Sequence, residues 1–367
     1  MIEMITLEHV QRDVRVSITP PTPVEVSGIP VITYIAADGD GHHEDYDRLF
    51  AAVATELGVS MRFMPRSSSV VQRRGTWFYS MFDTSATETA RALLAASLRS
   101  LAGQKTIGLV FRPGDCFIKR SFKSSVRRTL FRIVARLRNV NILIIVPFAI
   151  SPESSSVASN WIYDPQLWDL QYLGVPDLHN TEPLQAQIRR LAGNRRILVA
   201  LGTQYREKGF DFLVDLWVSS PEVRASHLFV ACGRVMRDCR EAAKRFQEDG
   251  GVLLDRRIED AELFALYRIA DLVWSCYAPD NDRSSGIHGR AVQLGVPVVV
   301  RKGSYLDAFG EILSHPSLAL PFGGSDVAKS LLLKWNPRRV DQKDTASLVR
   351  RMRDHSLSVL ANALRGK

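Results

Sequence analysis

The chain has 367 residues, 46% hydrophobic and 24% charged. That is enough apolar material for two domains of ordinary size, and it excludes a chain too polar to fold. The formal net charge of +9 favours an anionic partner such as a nucleotide, a phospholipid surface or a nucleic acid.

The four cysteines, Cys116, Cys232, Cys239 and Cys276, are widely spaced and form no CxxC pair. This argues against a zinc knuckle and for buried free thiols in a reducing cytoplasm. The first residues lack the basic-then-apolar layout of a signal peptide. The longest apolar run, Ile142–Ile150, is far too short to span a bilayer.

In chain order, residues 1–29 read as an edge strand and a Pro-rich lead-in. Val31–Ala37 is a strand, and Asp38-Gly-Asp-Gly-His-His43 a turn. Glu44–Leu57 is a helix with Tyr46, Leu49, Phe50, Val53 and Leu57 at helical spacing. Val59–Phe63 is a strand, Thr87–Leu101 a helix, and Thr106–Arg112 a strand running into Pro113-Gly-Asp-Cys116. Lys119–Arg138 is a basic helix and Asn141–Phe148 a strand. This βα alternation predicts a parallel sheet. Residues 151–193 are irregular and rich in breakers, which places a boundary there.

A second alternation follows, with strands at Arg196–Leu201, His227–Cys232 and Val252–Leu254 and helices at Phe210–Val218, Val235–Phe246 and Asp260–Ile269. Asp271–Arg301 then reads as an apolar strand, a polar loop over Ala278–Ser285, a helix over Ile287–Leu294 and a strand over Val296–Val300. Helices near Tyr305–Leu313 and over Thr345–Leu364 close the chain. The fold class is α/β, with two Rossmann-like domains facing across a cleft. The expected divisions are residues 1–180, residues 181–335 and a helical segment, 336–367. In open α/β sheets a ligand lies beyond the carboxyl ends of the strands, so the loop before Gly286 is a candidate site. Ser284, Ser285 and Gly286 can aim N–H groups and hydroxyls at an anion on the next helix's N-terminus.

Two segments, Gly202-Thr-Gln-Tyr-Arg-Glu-Lys-Gly209 and Asp282–Pro297, together resemble the GT-B glycosyltransferases, close to the retaining family 4. In that family a strand ends in Gly and a Lys-Gly follows, as at Gly202 and Lys208-Gly209. The resemblance implies that Lys208 holds the donor's diphosphate. Thr203 stands where the family has Arg, and Arg206 is the substitute cation. Fixed cations suit a leaving group that gains negative charge. The family's two acidic residues eight apart fall on Asp282 and Arg290, counting back from Gly295-Val-Pro-Val-Val299. Asp282 keeps a carboxylate near the transferred sugar. Arg290 replaces a glutamate that binds ribose hydroxyls, and arginine cannot accept those hydrogen bonds.

The resemblance makes Asp38–His43 a cleft loop in which Gly39 and Gly41 let the backbone approach the donor. His42 or His43 contacts donor or acceptor there, or is an exposed histidine at a helix start. Arg112-Pro-Gly-Asp115 is a second cleft loop or an ordinary turn. The chain is thus expected to move a sugar from a nucleotide-sugar to a lipid-linked or glycan acceptor in bacterial-type polysaccharide or glycoconjugate synthesis. Retention and independence of metals and cofactors follow from the resemblance. The alternatives are another nucleotide-sugar GT-B enzyme and a non-catalytic GT-B-like subunit.

The basic helix carries Lys119, Arg120, Lys123, Arg127, Arg128 and Arg132 and no acidic residue. Phe122, Val126, Leu130, Ile133, Val134 and Leu137 share a face that is expected to pack inward, leaving the basic side for an anionic membrane. No nucleic-acid-binding motif accompanies it. A cytoplasmic protein, peripheral on the inner face of the membrane, is expected. Trp161 and Trp168 form an acceptor wall or pack internally.

Overall fold

The computed structural model describes residues 30–36, 42–64, 74–114 and 122–365, with the side chains of His42, His43 and Lys123 left aside. Gly39, Gly41, Lys119, Arg120 and the proposed lead-in strand therefore lie outside the described residues.

Two parallel six-stranded sheets organise the chain. The first comprises β1 (Val31–Ile35), β2 (Ser60–Met64), β3 (Thr76–Tyr79), β4 (Thr106–Val110), β5 (Val140–Ile144) and β6 (Asn160–Trp161), in the order β2-β1-β3-β4-β5-β6. The second comprises β7 (Arg196–Leu201), β8 (His227–Cys232), β9 (Val252–Leu254), β10 (Leu272–Ser275), β11 (Val298–Arg301) and β12 (Ser317–Leu320), in the order β12-β11-β10-β7-β8-β9. The central strands are apolar without alternation and buried throughout, as β4 (TIGLV) and β8 (HLFVAC) show. Strands covered by helices on both faces require that.

The helices are α1 (His42–Glu56), α2 (Ala86–Leu101), α3 (Phe122–Ala135), α4 (Leu170–Leu173), α5 (Glu182–Ala192), α6 (Phe210–Val218), α7 (Pro221–Ser226), α8 (Arg240–Glu248), α9 (Asp260–Ile269), α10 (Gly286–Gln293), α11 (Tyr305–Leu313), α12 (Ser325–Lys334) and α13 (Gln342–Arg365). Sequence reading omits β3, β6, β12, α4, α5, α7 and α12. Most are short, and tertiary pairing rather than local pattern fixes the strands. Helix α5 is amphipathic, with Gln185, Ile188 and Ala192 buried, but lies in the breaker-rich stretch read as irregular.

The order of each sheet reverses beside its first strand, between β1 and β3 and between β7 and β10. Such a switch point leaves a crevice at the carboxyl ends of the strands. In the second sheet that crevice is flanked by the segments following Leu201 and Ser275.

Helix α13 runs back to the first sheet. Its Leu348, Met352, Leu360 and Ala363 share one core with Ile32, Tyr34, Phe50 and Ile107. Ser356 Oγ accepts from Tyr163 N at 3.1 Å. Trp168 is fully buried, and Trp161 stacks on His355 of α13 at 4.0 Å between ring centroids. Both tryptophans therefore pack internally.

Helix α3 differs from expectation. Phe131, Val134 and Ser124 face inward, with Phe131 against Phe82, while Phe122, Val126, Leu130 and Ile133 are exposed. Arg127 and Arg128 are half-buried, and Arg127 donates to Thr89 of α2 at 3.3 Å. The inward wedge is narrow. The long methylene stems of Arg127 and Arg128 fill its flanks, which turns the apolar stripe to the outside. Of the expected cationic face, Arg132 is exposed.

Candidate functional site

Two adjoining cavities lie at the switch point of the second sheet. The smaller, about 520 Å³, is lined by Gly202, Thr203, Lys208, Ser285, Gly286 and Arg290, and by Asp45, Arg112 and Asp164 from the other unit. The larger, about 790 Å³, is lined by Asp280, Asp282, Gly303 and Tyr305 of one unit and Arg112, Gly114, Ser151 and Glu153 of the other. Tyr205, Asn281, Arg283 and Ser284 line both.

Helix-like local folding sets the cation. Residues Arg206–Lys208 form a single 3-10 turn that ends at Gly209, whose φ is +73°. A Cβ at Gly209 would sit 2.1 Å from the backbone oxygen of Cys276, at the end of β10. Left-handed backbone and close approach both call for glycine there. The turn folds Lys208 back so that Nζ donates to Leu201 O at 3.3 Å. Gly202, also at positive φ, leaves room for that ammonium, which lies 2.9 Å from where a Cβ would be. Burial pushes the Lys208 ammonium down to about 8, and the nearby Arg283 guanidinium adds to the effect. A site that disfavours its own positive charge favours an arriving anion.

The opposite wall is the start of α10. Ser285 caps it, its Oγ accepting from His288 N and sharing a 2.7 Å hydrogen bond with Tyr277 Oη. Ser285, Gly286 and Ile287 line the smaller cavity, and the first N–H groups of a helix have no partner within the helix. A Cβ on Gly286 would lie 2.1 Å from Gln166 Oε1, so this glycine also accommodates the other unit.

Asp282 lines the larger cavity. Its Oδ1 accepts from Tyr305 N at 2.8 Å and pairs with Arg301 at 3.0 Å. Those contacts fix its orientation at the cavity wall. Arg290 is buried and ion-paired with Asp169, and its guanidinium lies 5.6 Å from the Phe264 ring centroid. It borders the smaller cavity but is held by an internal carboxylate.

Arg206 does not join this group. It is exposed, pairs with Asp211 at 3.1 Å and lines neither cavity. The same 3-10 turn that folds Lys208 in carries the residue two before it outward. Arg283 takes that place, and its position directly after Asp282 in the loop was the available signal. Asp164 was also missed as a site residue. It is buried, accepts from Gln166 N at 3.0 Å and is pushed up to about 6, first by burial and also by Asp169. Nothing local to Asp164-Pro165 shows that a second unit closes over it. The Arg112–Gly114 segment does line the cleft. Gly39 and Gly41 lie outside the described residues, as does the side chain of His42.

No family model and no curated protein sequence matches the chain. Solved structures do. HepE of Anabaena, determined with UDP and glucose, superposes with a TM-score of 0.54 at 14% identity over 91% of this chain and 95% of that one. WaaG, a glycosyltransferase involved in lipopolysaccharide biosynthesis, gives 0.52 at 14% identity over 92% and 100%. A proposed UDP-N-acetylglucosamine 2-epimerase from Listeria monocytogenes gives 0.51 at 11% identity over 89% and 96%. At such identities the likeness shows the fold. The chain has the GT-B architecture of two Rossmann-like units facing across a cleft.

Proposed function

We propose that the protein is a glycosyltransferase that moves a sugar from a nucleotide-sugar to a lipid-linked or glycan acceptor. The observation that supports it best is the convergence of Lys208, Arg283 and the start of α10 on one cavity, which opens into a larger one walled by both units. The smaller cavity would take the donor's diphosphate. There Lys208, Arg283 and the N–H groups after Ser285 would stabilise the charge that builds on it as the glycosidic bond breaks.

Asp282 borders the space for the transferred sugar, and the acceptor would enter from the side of Arg112 and Glu153. As in the retaining family 4, the acceptor oxygen would bond to the anomeric carbon on the face the diphosphate leaves. Its proton would pass to the departing phosphate oxygen. The cations of the site would fill the role of a divalent metal, so no cofactor is needed. The reaction would serve polysaccharide or glycoconjugate synthesis, with the protein peripheral on the cytoplasmic face of a membrane and no nucleic acid involved.

The test is release of nucleoside diphosphate from a panel of nucleotide-sugars, with and without a lipid-linked acceptor, for the parent and for Lys208→Ala. Turnover that survives the substitution unchanged would remove the assignment. The engagement of Arg290 by Asp169 favours a second reading. The family's ribose-binding carboxylate is replaced by a structural cation, as a subunit that binds sugar nucleotide without turnover would tolerate. Binding with no release of diphosphate for any donor would support that reading.

A further inference from the structure

Helices α2 and α3 are neighbours on one face of the first sheet, since β3, β4 and β5 lie in sequential order and α2 and α3 connect them. Their inner sides share a core containing Leu93, Ala96, Phe131 and Val134. Their outer sides are also apolar. Leu94 is 61% exposed, Leu101 84%, Phe122 84% and Ile133 55%. With Leu98, Val126 and Leu130, these two helices hold seven of the fourteen large hydrophobic side chains exposed among the described residues. They make up 30 residues of the chain, so this is a concentration and not scatter. Exposed apolar stripes on two neighbouring helices are the mark of a contact surface.

We propose that the outer faces of α2 and α3 form a single docking surface for an anionic phospholipid leaflet, with the apolar stripes inserted below the headgroups. Charge selects this occupant. Helix α3 contains no acidic residue, and Arg132 and Arg136 are exposed beside its stripe, while Arg91 of α2 is paired with Glu88 at 2.7 Å. A second copy of the chain apposed on this face would set those arginines against each other, whereas anionic headgroups would neutralise them. An interfacial helix seats its apolar side about 5–10 Å deep with cations at headgroup level, which matches this layout.

The surface also reaches towards the cleft: Arg132 donates to Ser156 at 3.3 Å, in the short turn whose Glu153 lines the larger cavity. A lipid-linked acceptor would then reach the cavity from the leaflet. This deepens the membrane side of the proposed function and does not depend on the donor chemistry.

Contact through arginines alone would vanish in high salt, whereas inserted side chains would hold. The test is cosedimentation with vesicles of phosphatidylcholine alone or mixed with phosphatidylglycerol, at salt concentrations of about 0.1 and 1 M, between which the Debye length falls from about 10 to about 3 Å. The parent and a Leu98→Gln/Phe122→Gln/Ile133→Gln variant are compared, with thermal unfolding and nucleoside diphosphate binding measured on both.

The parent is expected to bind the mixed vesicles and to keep a salt-resistant fraction. The variant should lose that fraction and partition about tenfold or more weakly at low salt, since each buried apolar group adds to interfacial binding. Its unfolding and nucleotide binding should not change. Three results would each overturn the proposal: full release of the parent by high salt, equal partition of parent and variant, and a lipid-free dimer of the parent that the variant abolishes. Loss of nucleotide binding by both proteins with vesicle binding intact would instead count against the glycosyltransferase reading.

Discussion

Arg290 of the second unit is ion-paired with Asp169 of the segment leaving the first, and both side chains are nearly excluded from solvent, at 11% and 3% exposure. One turn on, Gln293 donates to the same carboxylate at 2.8 Å and to Gln166 O at 2.7 Å, while its Oε1 accepts from Leu170 N at 3.2 Å. Burial raises the Asp169 carboxyl and Arg290 pulls it back. Helix α10 is thereby clamped to residues 166–170, with Gly286 and Gly289 packed on Gln166 and Arg290 and Gln293 bonded beyond it. The helix that borders the smaller cavity is also the joint between the units.

Arg290→Glu tests that joint. It restores the residue of the resembled family, but here it would set a carboxylate against Asp169. Breaking a buried pair costs about 3–5 kcal/mol. The variant is expected to lose stability on that scale in urea unfolding and to bind nucleotide less tightly. Combining it with Asp169→Arg should recover part of the loss. Tighter nucleotide binding with unchanged stability would show that Arg290 is free to be replaced.

Lys208→Ala should weaken the leaving-group site with little effect on folding, because the side chain is half-buried and bonded only at its tip. A lost cation at a developing oxyanion costs roughly 2–4 kcal/mol of barrier. The lowered ammonium value, about 8, adds a pH signature. The anion binds the protonated form, so affinity for nucleoside diphosphate should be flat at neutral pH and fall as pH rises through about 8. Lys208→Met should abolish that fall. Calorimetric titration across pH measures both.

Asp164→Asn should stabilise the protein at neutral pH. The folded carboxyl holds its proton up to about 6, against an ordinary 3.8. The carboxyl therefore favours the folded state below 3.8 and loses that contribution as pH rises through about 6. The amide keeps an acceptor for Gln166 N and never ionises. A shift of about two units corresponds to at most about 3 kcal/mol, and a gain of about 1 kcal/mol at pH 7.5 that shrinks towards pH 4 is expected in thermal unfolding. A loss of stability at pH 7.5 would mean that the charged form is needed.

Gly209→Ala forces a side chain into left-handed backbone and against the oxygen of Cys276. Overpacking with backbone strain costs about 1–3 kcal/mol. Because the turn that carries Lys208 ends here, nucleotide binding should weaken along with stability, both read by thermal shift with and without nucleoside diphosphate.

Much of this was legible locally. Strands β7, β8 and β9 and helices α6, α9 and α11 follow from apolar runs and helical spacing, while Gly209 stands out through the resemblance alone and Ser285 as a loop residue before a helix, not as its cap. What stayed hidden depends on partners far along the chain. The engagement of Arg290 needs a carboxylate 121 residues away. The outward turn of Arg206 depends on the sense of one 3-10 turn. The orientation of α3 shows the limit of periodicity: it has apolar residues on both sides, and α2 and the sheet, not its own pattern, decide which side is buried.

The return of α13 to the first sheet has a consequence for how the protein is made. Leu348, Met352 and Leu360 complete a core begun by Ile32 and Tyr34, so contacts between segments on either side of the second unit are needed to finish the first. On the ribosome the strands of that unit would emerge first yet wait, with apolar surface uncovered, until α13 had followed the whole second unit out. The second unit, whose core draws on residues from Ile188 to Leu332, can close earlier. Order of synthesis and order of folding are therefore reversed, and the interval between them is when the nascent chain is most exposed to aggregation.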